Sequence, residues 1–309
     1  MRISSRMPRS SALLACVVVL VVIAPFVFAQ AQPPGDTLAR IRQTPTLTFG
    51  FRTDARPFSY RDIAGIQSGY SITLCNEIGA AVKRELDMPD LVVQWAPVTI
   101  ENRAQSLQDG TVDLLCGADT ITSERAEYVS FSIPIFPGGT GAMVRADAPA
   151  ALKDALANRL PLTGGAHVGA MPPGPRDVSV VAGTLTQSWL AERMRALHVN
   201  ARITPVPDYD DGVKRLLDRQ TAVFFGDRAI LLAAASHAIT RDVVVINRQF
   251  TDEPVGLVLR RGDDNFRLLV DRTLASVFRS DEFSVMYMQS FGVLDDTTKA
   301  YLVQHSVSE

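Results

Sequence analysis

The sequence has little of several things that would mark a familiar class of protein. It carries three cysteines in 309 residues, which is too few for a disulfide-stapled scaffold. A formal net charge of -2 provides no basic field for collecting phosphates, which argues against a general nucleic-acid binder. With 47% hydrophobic and 21% charged residues, the chain has a globular composition, which argues against intrinsic disorder.

Catalytic and metal-binding motifs are missing as well. The histidines are scattered at His167, His198, His237 and His305, and no two of them have the helical spacing of a metal-ligand pair. The sequence contains neither a Gly-x-Ser-x-Gly motif nor a phosphate-binding loop. These absences predict a protein that uses no cofactor or metal and has no catalytic residue.

Long apolar runs are confined to the first thirty residues. Three arginines and no acid precede an uncharged stretch over residues 11–28, and small residues follow at Ala29 and Ala31. A basic start, an apolar stretch and a small-x-small site predict a secretory signal peptide over residues 1–31, cleaved near Ala31. The alternative is an uncleaved membrane anchor, because about 18 apolar residues nearly span a bilayer. The rest of the chain is therefore expected to be a soluble exported domain.

Cleavage would change the composition of the chain. Removing 31 of the 309 residues leaves 278, and it takes away three arginines and no acid, so the net charge moves from -2 to -5. Two cysteines remain, Cys75 in a helical pattern and Cys116 near the end of a strand pattern. An even pair in an oxidising compartment suggests a disulfide, and two buried free thiols are the alternative.

Strand and helix patterns alternate along the exported chain in two series. The first predicts strands at 47–51, 91–95 and 112–116 and helices at 36–43, 72–86 and 100–108. The second predicts strands at 178–181, 202–206 and 222–225 and helices at 186–197, 210–217 and 228–235. Such alternation is typical of a parallel sheet covered on both faces. We therefore expect two α/β lobes.

The connections between the lobes follow from prolines and glycines. Those between residues 134 and 141 predict a crossing point, and turn residues predict loops at 54–60 and 160–177. Strands at 243–246 and 255–259 and helices at 266–278 and 282–290 close the fold. The prediction assigns residues 32–141 and 250–309 to lobe 1 and residues 142–249 to lobe 2.

Arginines stand where three predicted strands of the first series end. Arg52 follows the first strand, Arg103 begins the helix after the second, and Arg125 lies beyond the third. Ligands of open α/β sheets bind beyond the carboxyl ends of the strands. Each guanidinium can hold a carboxylate with two hydrogen bonds, so the three together predict a strongly anion-attracting pocket. A solvated surface charge is the alternative for any one of them.

Several strings along the chain resemble family 3 of the extracellular solute-binding proteins. They lie at 51–60, 69–75, 101–103, 110–117, 122–125, 131–134, 182–184, 226–232 and 256–263. Arg52 and Arg103 make the sequence most similar to the glutamate/aspartate-binding branch. The resemblance implies a two-lobed α/β fold of the type II periplasmic-binding-protein class with a two-strand hinge. It also implies a monomeric receptor that delivers an amino acid to an inner-membrane ABC permease.

The resemblance further implies how the ligand is held. Arg125 would hold the α-carboxylate, helped by Thr120 and by Thr184 at the N-terminus of a helix. Asp227 would pair with the α-ammonium group from lobe 2. Because the two charges of the amino acid face different lobes, both lobes are needed for binding.

The side chain of the ligand would meet Arg52 and Arg103, which match residues that hold an acidic amino acid or a related dicarboxylate. Three positions depart from the pattern of the branch. Ile100 and Ala118 stand where serine is usual, and Leu185 replaces a threonine. These departures predict an anion-binding cleft with altered specificity.

An enzyme on the same fold is the alternative function. Secreted cyclohexadienyl or arogenate dehydratases also bind a carboxylate-rich substrate, and they need a general acid or base in the cleft. Glu101 and Asp119 are the candidates in this sequence. The sensor domain of a receptor kinase, a third possibility, would need a downstream membrane helix, for which the sequence has no apolar run. Transport without catalysis is therefore the predicted function.

Overall fold

The structure is a computed structural model that describes residues 36–158, 177–237 and 242–306. The predicted signal peptide over residues 1–31 lies outside the described residues, as does the predicted loop over 160–177 except for Asp177. Within the described ranges, no helix is both long enough and apolar enough to cross a bilayer.

The described residues form thirteen strands and eleven helices. The strands are β1 (Thr46–Phe51), β2 (Asp54–Ala55), β3 (Ser59–Arg61), β4 (Gln67–Ser68), β5 (Val92–Pro97), β6 (Leu114–Thr120), β7 (Val129–Phe131), β8 (Thr140–Arg145), β9 (Val178–Val181), β10 (Ile203–Val206), β11 (Val223–Asp227), β12 (Val243–Val245) and β13 (Val255–Arg260). The helices are α1 (Thr37–Gln43), α2 (Tyr70–Glu85), α3 (Arg103–Gln108), α4 (Ser123–Ala126), α5 (Ala150–Leu156), α6 (Leu185–Ala196), α7 (Tyr209–Leu217), α8 (Arg228–His237), α9 (Asp264–Arg279), α10 (Phe283–Phe291) and α11 (Asp296–Gln304).

Each lobe is built on one five-stranded sheet. In lobe 1 the strand order is β5-β1-β6-β13-β7, and in lobe 2 it is β10-β9-β11-β8-β12. The three strands predicted for each series are parallel to one another. Each sheet is nevertheless mixed, because β13 pairs antiparallel with β6 and β7, and β8 pairs antiparallel with β11 and β12. The antiparallel strands β8 and β13 begin where the chain has just crossed from the other lobe.

Two segments carry the chain between the sheets. Residues 132–139 lead from β7 to β8, and residues 246–254 lead from β12 to β13. They run antiparallel where they meet, as an antiparallel bridge between Phe136 and Val255 shows. The fold class is thereby confirmed as two α/β lobes joined by two crossing segments, while the exact residue limits of the lobes stay a prediction.

Glycine permits the close approach of the two crossing segments. Glu253 N–H donates to the Gly138 carbonyl oxygen at 2.9 Å. A Cβ atom at Gly138 would lie 2.7 Å from the Glu253 carbonyl oxygen, and one at Gly139 would collide with the Thr251 carbonyl oxygen. Side chains at these two positions would therefore force the segments apart.

Two local predictions in lobe 1 need correction. The predicted loop over 54–60 instead contains β2 and β3, which pair with β4 in a small antiparallel sheet. The helix predicted over 100–108 begins only at Arg103, with Asn102 as the cap residue. Thr99 and Asn102 bond to each other just before it, since Thr99 N–H donates to Asn102 Oδ1 at 2.8 Å and Asn102 N–H donates to Thr99 Oγ1 at 3.3 Å. This turn leaves Ile100 outside the helix.

The core of lobe 1 lies between its sheet and helices α2, α9 and α10. The apolar positions of α2 recur at helical spacing, and Ile72, Leu74 and Ile78 are buried against the sheet. Cys75 of α2 and Cys116 of β6 are both fully buried and are joined by a disulfide. The bond ties α2 to the strand whose last residues enter the cleft.

Candidate functional site

A cleft between the two lobes brings together residues that are far apart in sequence. Lobe 1 contributes Arg52, Ala55, Ile100, Arg103, Ala118, Thr120 and Arg125. The other residues that line it are Gly139, Thr140, Thr184, Leu185, Thr186, Tyr209, Asp227, Ile230 and Glu253. All six predicted ligand-binding residues line this one cleft.

Arg52 follows β1, and its guanidinium is already paired. Nε donates to Asp54 Oδ1 at 2.8 Å, and Nη2 donates to Asp54 Oδ2 at 2.6 Å. The Arg52 backbone N–H donates to Ser59 Oγ at 3.0 Å, which holds the turn after β1 in place. The sequence suggested a free cation here, whereas one edge of the guanidinium is occupied by an aspartate two residues away.

Arg103 is the first residue of α3 and is paired as well. Its Nη1 lies 3.0 Å from Oδ1 of Asp119 in β6. Asp119 is only 4% exposed, so this carboxylate is screened little by water. The ion pair neutralises the second of the three predicted arginines.

Arg125 lies in the short helix α4, where its backbone N–H donates to Thr122 Oγ1 at 3.2 Å. Its Nη1 donates to the Thr120 carbonyl oxygen at 3.3 Å. No carboxylate among the described residues lies within salt-bridge distance of this guanidinium. Burial lowers the pKa of Arg125, and the nearby positive charge of Arg103 lowers it further. Arg125 is therefore the cleft arginine with the most unused capacity for an anion.

The N-terminus of α6 forms part of the wall from lobe 2. Thr184 is the cap residue, and its Oγ1 donates to the Val181 carbonyl oxygen at 2.7 Å. Leu185 and Thr186 of the first turn also line the cleft. Because the first N–H groups of a helix have no intrahelical acceptor, this end favours an anionic group.

Asp227 ends β11 on the lobe 2 side. Its Oδ1 accepts hydrogen bonds from the backbone N–H groups of Ala229 at 2.9 Å and Ile230 at 3.2 Å, which begin α8. Its own N–H donates to the Tyr209 hydroxyl at 3.2 Å. Burial raises the pKa of Asp227 to about 6, and the negative charge of Glu253 contributes in the same direction. The carboxylate is thus ionised at neutral pH but sits in a place that favours a cationic partner.

Four polar residues of the cleft were missed from the sequence. Glu253 and Tyr209 line it, as do Thr140 and Thr186, whose hydroxyl oxygens are 3.3 Å apart. Glu253 lies in a crossing segment without any periodic pattern, so only its position two residues before β13 could have indicated it. Thr186 was assigned to a helix, and its place in the first turn beside Thr184 was the available signal.

The charge of the site differs from the expected anion-attracting pocket. Three arginines are accompanied by four carboxylates, namely Asp54, Asp119, Asp227 and Glu253. The pocket is therefore not dominated by positive charge, because each of two arginines has its own aspartate.

The three departures from the branch pattern all lie in the cleft. Ile100, Ala118 and Leu185 line it and form an apolar part of the wall. The Cγ2 atom of Ile100 lies 3.0 Å from the position that a Cβ would take at Gly183, so the lobes meet across the cleft at this point.

Neither candidate for acid–base catalysis is arranged for that role. Glu101 is exposed, and a hydrogen bond from the Thr99 hydroxyl lowers its pKa. Asp119 is held by Arg103 and does not line the cleft. A general acid or base needs a pKa near the operating pH and access to the substrate. The pKa of Glu101 is lowered, away from neutral pH, and Asp119 does not reach the cleft. Among the described residues, no group of three histidines, cysteines or acids is placed to hold a metal ion.

Two α/β lobes joined by two crossing segments, with charged groups from both lobes in the cleft between them, define a ligand-binding protein that encloses its solute. Residues 47–293 match the family model of the bacterial extracellular solute-binding proteins, family 3. The chain belongs to this family, whose members bind solutes and are not enzymes.

Curated relatives and solved structures agree with this assignment. The chain is 31% identical over 257 residues to a glutamate/aspartate import solute-binding protein of Escherichia coli, covering 82% of this chain and 78% of the relative. It is 29% identical to an L-glutamate/L-aspartate-binding protein of Pseudomonas aeruginosa, covering 82% and 80%. An ancestral amino acid-binding protein, described as a precursor of cyclohexadienyl dehydratase, superposes with a TM-score of 0.66 at 23% identity, covering 83% of this chain and all of that one. At that identity the last comparison supports the fold alone.

Proposed function

We propose that the protein is a periplasmic receptor that captures an acidic amino acid and delivers it to an inner-membrane ABC permease. It would reach the periplasm after cleavage near Ala31 and act there as a monomer. The names of the Escherichia coli and Pseudomonas aeruginosa relatives support glutamate or aspartate as the ligand. Import by an ABC system is likewise the role of polar amino-acid receptors in this family.

The observation that carries the proposal is the pair of opposite charges across the cleft. Arg125 comes from lobe 1 and Asp227 from lobe 2, and both line the same cavity. An α-amino acid bound between them would place its carboxylate on Arg125 and its ammonium group on Asp227. Charge-assisted hydrogen bonds contribute about 1.5 to 3 kcal/mol each, so a few of them support micromolar binding, about -8 kcal/mol.

Further groups complete the binding sites for the α-carboxylate and the α-ammonium group of the ligand. Thr120 and the first turn of α6 after Thr184 are placed to accompany Arg125 at the carboxylate. Glu253 lies near Asp227 and adds a second negative charge at the ammonium end. Two carboxylates on that side would repel a dicarboxylate that lacks an ammonium group. The charges therefore favour an amino acid over a plain dicarboxylate.

The ligand's side chain is assigned to the wall formed by Arg52 and Arg103. Both arginines line the cleft and retain N–H donors that Asp54 and Asp119 do not occupy, since a guanidinium has five. These donors suit the distal carboxylate of glutamate or aspartate.

A thermal-shift panel tests the proposal. Purified protein, refolded to remove any bound ligand, would be heated with each of the standard amino acids and with succinate, malate, glutarate, prephenate and arogenate. Glutamate or aspartate at 100 times its dissociation constant should stabilise the protein by about 2.7 kcal/mol. A complete absence of stabilisation across the panel would sink the proposal, and turnover of prephenate or arogenate would favour the enzyme instead.

Binding should weaken as the pH falls below about 6. The raised pKa of Asp227, about 6, means that the free carboxylate gains a proton at that point and loses its attraction for the ammonium group. Affinity should be constant from pH 8 to about 6.5 and then fall by up to about tenfold per pH unit, measured by calorimetric titration down to pH 5. Asp227→Asn should bind weakly and show no such change. An unchanged affinity in the wild type between pH 7 and 5 would remove Asp227 from the ammonium site.

A further inference from the structure

Two aspartates stand behind the arginines of the proposed side-chain subsite. Arg52 and Arg103 line the cleft, whereas Asp54 and Asp119 do not. Asp54 holds Arg52 through two hydrogen bonds of 2.8 and 2.6 Å, and Asp119 lies 3.0 Å from Arg103. A ligand in the cleft would thus contact the arginines directly. The aspartates would act on it only through their electrostatic effect.

In this arrangement each arginine can still donate hydrogen bonds to a ligand, while its positive charge is offset by the aspartate behind it. Asp54 occupies Nε–H and one hydrogen of Nη2 on Arg52, so three of the five N–H donors remain for a ligand. The oxygen of a carboxylate or of a carboxamide can accept from these donors equally well. The negative charge behind each guanidinium cancels much of the attraction that a full carboxylate charge would otherwise feel.

Burial makes the cancellation effective. The side chains of Arg52 and Arg103 are 8% and 13% exposed, and those of Asp54 and Asp119 are 25% and 5% exposed. Charges in such surroundings are screened less than in bulk water, so each aspartate offsets part of the attraction between its arginine and a charged ligand, Asp119 more than Asp54. The neighbouring apolar residues Ile100 and Leu185 carry no charge, so they do not restore a preference for a carboxylate over a carboxamide.

We infer that Asp54 and Asp119 set the specificity of the side-chain subsite, so that it accepts the acids glutamate and aspartate and their amides glutamine and asparagine with similar affinity. The inference rests on the proposed function, because it concerns the side chain of an amino acid whose α-groups are held by Arg125 and Asp227. It assigns a role to two residues of this chain that touch no ligand themselves.

Calorimetric titration with glutamate and glutamine tests the inference. In the wild type the two dissociation constants should lie within about tenfold of each other, the difference between a charged and a neutral hydrogen bond. Asp54→Asn and Asp119→Asn keep the shape of each side chain and remove its charge. Each should shift the ratio toward glutamate by about tenfold, and the double variant should shift it further.

A matched control lies on the surface of lobe 2. Asp147 is paired with Arg145 at 2.9 Å and with Arg219 at 2.5 Å, and it does not line the cleft. Asp147→Asn removes the same charge from an exposed pair of Arg–Asp contacts outside the cleft and should leave the ratio of dissociation constants unchanged.

The possible outcomes separate this inference from the proposed function. A wild-type preference for glutamate above a hundredfold would overturn the inference while leaving an acidic-amino-acid receptor intact. Equal loss of affinity for both ligands in Asp119→Asn would also overturn it, because the aspartate would then only position Arg103. Binding of neither ligand would count against the proposed function itself. The ratio of the glutamate and glutamine dissociation constants in the wild type can overturn the inference even where a variant fails to fold.

Discussion

Replacing Arg125 by alanine is expected to weaken ligand binding by at least about a hundredfold. The guanidinium would lose two charge-assisted hydrogen bonds to the α-carboxylate, which contribute about 1.5 to 3 kcal/mol each. The other two cleft arginines do not replace it, because Arg52 and Arg103 are assigned to the side-chain end of the ligand. Calorimetric titration of the variant with glutamate measures the effect directly.

The stability of the free variant separates binding from folding. Burial lowers the pKa of Arg125, which means that the empty cleft is an unfavourable place for its charge. Arg125→Ala without ligand should therefore unfold at a temperature no lower than that of the wild type. Arg219→Ala, on the exposed face of lobe 2, serves as the control and should bind normally. Full affinity in Arg125→Ala would remove this residue from the site.

Replacing Gly139 by alanine is expected to lower the free energy of unfolding by about 3 kcal/mol, the upper part of the usual range for overpacking. The added Cβ would collide with the Thr251 carbonyl oxygen and lie 2.7 Å from the Gln249 side chain. Backbone atoms cannot move aside as a flexible side chain can, so the two crossing segments must separate. Urea unfolding of the variant and the wild type gives the difference.

Gly79→Ala is the matched control for this glycine. Gly79 lies inside α2, and its new Cβ would be 3.5 Å from the nearest atoms of Phe49 and Val93, an ordinary contact. Alanine is favoured over glycine inside a helix by about 0.5 to 1 kcal/mol, so this variant should be at least as stable as the wild type. Equal stability of Gly139→Ala and Gly79→Ala would contradict the close packing of the crossing segments.

Regular elements were largely predictable because their apolar residues follow the period of a helix or a strand. The strand over 178–181 was predicted to the residue, and α2, α7 and α9 were predicted within two residues at each end. Elements without such a pattern were missed. The helices α4 and α5 are short and have no buried residues, and β8 begins within the stretch whose glycines and prolines indicated only a crossing point.

The residues of the candidate site could be predicted from the sequence, but the ion pairs that two of its arginines form could not. The strand ends indicated Arg52, Arg103 and Arg125, the resemblance to the family added Asp227, and the structure brings all of them into one cleft. The pairing of two arginines with aspartates could not be read from the spacing. Asp119 was noticed only as a candidate for catalysis, and its partner lies sixteen residues earlier, on α3.

The central claim is that an amino acid is held by its two charged α-groups between Arg125 and Asp227. Calorimetric titration of ligand-free protein with L-glutamate and with glutarate, which lacks only the α-ammonium group, tests it most directly. The account predicts micromolar binding of L-glutamate and binding of glutarate at least about a hundredfold weaker, because Asp227 and Glu253 would face no positive charge. Equal affinity for the two compounds would contradict it.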